Sequence, residues 1–183
     1  MSETLMLLLL VAVVAVPALL LARSRRRLGS AVRRTERLEV WASPRGWRVL
    51  GAAPEVLGRW QCPPFTAPER QVDDAVAGEY RGREATSSRL ETAPPREVTH
   101  VLTVELRATV PVAQLMTDGV PADELGADGG AWLRERGPTG LSLRAERGVV
   151  VGWLPGEPLL TELDRYLDAL VDVAETLERL PPP

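Results

Sequence analysis

Lysine, asparagine and isoleucine are missing from the 183-residue chain, and cysteine and histidine occur once each. Each absence removes a class of chemistry. Without lysine there is no phosphate-binding loop of the G-x-x-x-x-G-K-[ST] kind, and no G-x-G-x-x-G follows a strand. One cysteine excludes an internal disulfide and a cysteine-rich zinc module. One histidine excludes a two-histidine metal site and leaves His100 as the one route to a Ser-His-Asp triad. No G-x-S-x-G elbow supplies a nucleophilic serine. Aromatic residues are scarce as well: five Trp, two Tyr and one Phe.

What is present is arginine and one long apolar run. All 22 basic residues are arginine, against 25 acids, for a formal charge of -3. Residues 5–22 (LMLLLLVAVVAVPALLLA) carry no charged side chain. At ~1.5 Å per residue, such a helix spans about 27 Å, close to the ~30 Å hydrocarbon layer of a bilayer. Pro17 is tolerated in a membrane helix with a modest kink. The following Arg23, Arg25, Arg26 and Arg27 act as a stop, because burying arginine at mid-bilayer costs ~2.5–3.5 kcal/mol. A cleaved signal peptide would want positive charge before the run and small residues at its end. Met1-Ser2-Glu3-Thr4 and Leu19-Leu20-Leu21 offer neither, so the run reads as an uncleaved anchor.

Charge asymmetry orients it. Residues 1–4 would be extracytoplasmic, 5–22 would span, and everything after Ala22 would lie in the cytoplasm. A lone cysteine suits that reducing compartment. Residues 23–60 hold ten Arg and three acids (Glu36, Glu39, Glu55), whereas residues 61–183 hold twelve Arg and 21 acids. The basic part would therefore lie against anionic inner-leaflet lipid, with Arg23, Arg25, Arg26, Arg27, Arg33, Arg34 and Arg37 as the membrane-surface residues. If that helix senses anionic lipid, replacing Arg33, Arg34 and Arg37 should abolish lipid-dependent behaviour and leave insertion intact. An acidic domain without interleaved aromatic platforms does not fit nucleic acid.

The division expected is a basic juxtamembrane helix over 23–45, a cytoplasmic α+β domain over 46–180 and a tail at 181–183. Residues 29–43 read as helix, with Leu38 and Trp41 one turn apart. Pro54 would start a short helix ending near Trp60, and residues 66–75 read as polar loop. Glu79-Tyr80-Arg81-Gly82-Arg83 reads as a strand with a tight reversal at Gly82, after which Ala85 to Thr92 is extended. Val98 to Arg107 has the strongest alternation, with His100, Leu102, Val104 and Leu106 on one face. A second hairpin turns at Arg147-Gly148. Glu157-Pro158 would open a terminal helix with Leu159, Leu163, Tyr166, Leu167, Leu170, Ala174 and Leu177 as its apolar stripe. Its acids (Glu162, Asp164, Asp168, Asp172, Glu175, Glu178) read as a solvated face. The fold expected is thus a small, mostly antiparallel sheet covered by this helix.

No residue emerges as catalytic, cofactor-binding or metal-ligating. His100 reads as a buried, hydrogen-bonded core histidine, since Thr99 and Thr103 point to the opposite face. Cys62, beside Pro63-Pro64 and three residues from Arg59, reads as a packed small apolar side chain. The loop Asp118–Gly129 fails a calcium-loop test, because Val120 and Ala122 stand where oxygen ligands are needed. Trp41 and Trp47 read as packing residues more than as headgroup anchors.

Several short stretches together resemble uncharacterised single-span membrane-anchored proteins of high-GC actinobacteria. They are Gly46-Trp47, Pro64-Phe65, Gly78-Glu79-Tyr80-Arg81-Gly82-Arg83, Val101 to Pro111, and Leu163 to Leu177. The chain departs from that pattern at Ala85-Thr86-Ser87-Ser88, where an aromatic strand is usual. The resemblance implies an anchor followed by a soluble domain and carries no catalytic residue. The function expected is a membrane-tethered, non-enzymatic interaction or scaffold domain. The alternative is a ligand-binding or enzymatic domain acting on a membrane-proximal small molecule.

Overall fold

The computed structural model describes residues 15, 32–53, 57–93, 95–108, 110, 113–117, 120–121, 138 and 140–179. Among them no helix is long and apolar enough to cross a membrane. The run 5–22 lies outside the described residues except for Ala15, as do Arg23, Arg25, Arg26, Arg27 and most of the 117–130 loop. The chain forms two units, residues 1–37 and 38–183.

Eight strands make one sheet: β1 (Arg48–Gly51), β2 (Glu69–Tyr80), β3 (Arg83–Ala93), β4 (Glu97–Glu105), β5 (Ala113–Thr117), β6 (Val120–Pro121), β7 (Ser142–Glu146) and β8 (Val149–Pro155). Their order is β1-β2-β3-β4-β8-β7-β5-β6, and every pairing is antiparallel. Residues 32–42 form helix α1, and Leu163–Arg179 form helix α2. The α+β class, the antiparallel sheet and the C-terminal helix agree with the sequence reading.

Both faces of the sheet are buried, which the alternation had not announced. One face (face A) packs Val76, Ala85, Leu102, Val104, Ala145 and Val150 with Leu163, Leu167, Leu170, Ala174 and Leu177 of α2. Leu38, Trp41 and Ala42 from the end of α1 and Trp47 join that layer. The opposite face (face B) packs Val72, Leu90, Val101, Val149 and Val151 under Ala53, Trp60, Cys62 and Phe65. The segment around Cys62-Pro63-Pro64-Phe65, too proline-rich for regular structure, is thus a cover for face B. Burying a leucine or phenylalanine side chain fully contributes ~1.5–3 kcal/mol, so both layers matter to stability.

Three expectations need correction. The expected loop over 66–75 is cut to 66–68, because β2 begins at Glu69. Its period is hidden by a bulge between Asp73 and Val76, with Asp74 at φ 53°. Its polar side chains are also satisfied locally: Gln71 donates to Asp73 at 2.9 Å and Arg70 to the Ala67 carbonyl at 2.6 Å. The terminal helix starts at Leu163, not at Glu157-Pro158. Leu159 stays extended and 68% exposed, outside the apolar stripe, and the Glu162 carboxylate accepts its N–H. Finally, residues 57–59 form a turn where a short helix was expected, with 54–56 outside the described residues.

Candidate functional site

Three polar groupings are built into this frame. The first lies between α2 and the β2–β3 hairpin. The reversal at Arg81-Gly82 takes positive φ at both residues (49° and 74°), as a tight primed hairpin turn requires. It presents Tyr80, Arg81 and Arg83 to the acidic side of α2. Arg81 reaches Asp172 at 2.8 Å, Glu175 at 3.4 Å and Asp168 at 3.5 Å. Tyr80 donates to Asp168 at 3.1 Å, and burial plus that carboxylate pushes its phenol up to about 12. Arg45, stacked 4.6 Å over Trp41, reaches Asp164 at 2.8 Å.

The deepest member is Arg83, 3% exposed, whose guanidinium holds Glu178 through two parallel bonds of 2.8 Å. Glu178 also accepts the Arg107 backbone N–H, and Arg83 donates to the Glu105 carbonyl. The hydrogen bonds from Arg83 hold the Glu178 carboxyl below its ordinary range. The acids of the last helix are therefore not a plain solvated face. They are a docking row for arginine side chains 87–119 residues away in sequence.

The second grouping holds the chain's one histidine. His100 is 6% exposed on face A of β4, as the sequence indicated, and its Nε2 lies 2.9 Å from Ser87 Oγ on β3. Arg89, directly opposite His100 in register and 7% exposed, is surrounded by carboxylates. Its partners are Glu91 at 3.0 Å, Glu157 at 3.8 Å and Asp73 at 3.9 Å. Arg96 also pairs with Glu91, and that arginine contact leads the effects lowering the Glu91 carboxyl. A serine beside a histidine invites comparison with a nucleophile and its base. Burial alone pushes His100 down to about 4, so the imidazole is a poor base at neutral pH. No carboxylate orients its Nδ1, which has no hydrogen-bond partner. The pair reads as packing polarity satisfied across two strands.

The third grouping fixes the cover on face B. Buried Glu146 of β7 accepts the Gln61 N–H at 2.7 Å and pairs with Arg144 at 2.9 Å. Arg147 donates to the Arg59 carbonyl at 2.9 Å. Cys62 is fully buried beneath, and burial, reinforced by Glu146, pushes its thiol up to about 12. A thiol reagent at pH 8 should therefore leave Cys62 unmodified in the folded chain and label it fully in denaturant. Rapid labelling of the native protein would contradict this burial.

No protein-family model matches the chain, and no curated protein matches it. The fold is similar to the crystal structure of the mycobacterial trehalose monomycolate transport factor A, TtfA, with a TM-score of 0.63 at 15% identity. The match covers 82% of this chain and 97% of that one. At such identity the likeness establishes a shared fold. Its mycobacterial source agrees with the actinobacterial character of the resemblance.

Of the membrane-surface arginines, Arg33 and Arg37 are exposed on α1 and Arg34 is half-buried; Arg23, Arg25, Arg26 and Arg27 lie outside the described residues. Trp41 and Trp47 are buried, edge to face with centroids 5.3 Å apart. Among the described residues no group of His, Cys, Asp or Glu is arranged to hold a metal ion. Sequence reasoning missed Ser87, Arg83, Arg89 and Glu146. Arg89 and Glu146 each have one partner two residues away on the same strand, Glu91 and Arg144. Their other partners, like those of Ser87 and Arg83, come from other strands, the segment after β8, the last helix or the cover, which no local spacing reveals.

Proposed function

We propose that the chain is a single-pass membrane protein whose cytoplasmic domain is a non-enzymatic interaction module. In this reading the module takes part in transport of a lipid of the trehalose monomycolate class, the cargo that the similar factor's name carries. The observation that carries the proposal is the likeness to TtfA over nearly that protein's whole length. Two features support it. The apolar run 5–22, closed by Arg23, Arg25, Arg26 and Arg27, suits an anchor with its C-terminal side cytoplasmic. The buried polar pairs described above serve packing between elements, which suits a rigid docking body. Anionic inner-leaflet lipid is the expected surface for the basic stretch that follows the run.

Two measurements test this. A reporter active in one compartment, fused after Pro183, should be active in the cytoplasm. A mature chain shortened at its N-terminus and exported would overturn the topology. Crosslinking in intact membranes should join the domain to a protein partner. Recovery no better than with a scrambled-domain control would overturn the interaction role.

A further inference from the structure

We draw no further inference here: the strongest candidate, the exposed row of Glu79, Glu84 and Glu105 on β2, β3 and β4 at the hairpin end of face B, is an acidic cluster with no second observation in the structure that points to what it would bind.

Discussion

Glu178→Ala should lower the stability of the folded domain by about 3–5 kcal/mol, because it leaves a buried guanidinium without its carboxylate. Arg83 is buried almost completely and Glu178 is 15% exposed at its side chain, so solvent screening offers little relief. The substitution also removes the acceptor of the Arg107 N–H. Urea unfolding followed by tryptophan fluorescence measures the loss. Replacing both partners with leucine should recover much of it, since a buried ion pair is often no better than apolar packing of similar volume. If the single alanine variant were as stable as wild type, the bidentate pair would not hold the helix. The same pair sets a pH dependence. The Glu178 carboxyl titrates below its unfolded value, so its contribution is complete above the ordinary carboxylate range and is lost as pH falls through the lowered value.

Gly78→Ala is the second large effect. A Cβ at Gly78 would stand 2.4 Å from Trp47 Cγ and 2.5 Å from Cδ1, far inside contact distance. The obstacle is a rigid ring. Trp47 is fixed by its edge-to-face contact with Trp41 and by the Nε1–H bond to the Glu79 carbonyl at 3.1 Å. The indole must shift as a unit, opening the layer under α1, and the expected cost is about 1–3 kcal/mol or somewhat more. Thermal unfolding gives the size, and an altered native fluorescence spectrum would report displacement of Trp47. A variant with unchanged melting and unchanged emission would show that the indole can yield freely. At Gly152, by contrast, the nearest atom is the Cδ1 end of Leu170 at 2.9 Å, which can rotate aside, so Gly152→Ala should cost less.

Local signals carried a good part of the fold. The reversals at Arg81-Gly82 and Arg147-Gly148 and the extended runs on either side of them fall where the turn chemistry put them. So did the buried stripe Leu163, Leu167, Leu170, Ala174 and Leu177. The start of β2 was not legible, because a bulge at Asp73–Val76 breaks the two-residue period and its polar side chains are satisfied within the strand region. The cover over face B was not legible either. Trp60, Cys62 and Phe65 lie in a stretch with no period at all, and their partners are Val72, Leu90 and Val151. Of the polar groupings, the burial of His100 could be read from alternation, but Ser87 could not be paired with it without strand register. The acids of α2 looked solvated because each one's arginine is more than eighty residues away. Charge spacing along a helix cannot tell a free face from one met by a distant hairpin.

The strand order has a bearing on how the protein is made. β1–β4 pair only among themselves and with β8, and β5–β7 reach the rest of the sheet only through β8, so the β4–β8 seam joins the two halves. Synthesis runs from the N-terminus, and the ribosome must deliver Pro155 before the seam can zip. Until then a nascent four-strand meander presents Val101, Leu102 and Val104 along an unpaired margin, an adhesive edge for any neighbouring chain. The free margin of β4 therefore stays unpaired until β8 has been made.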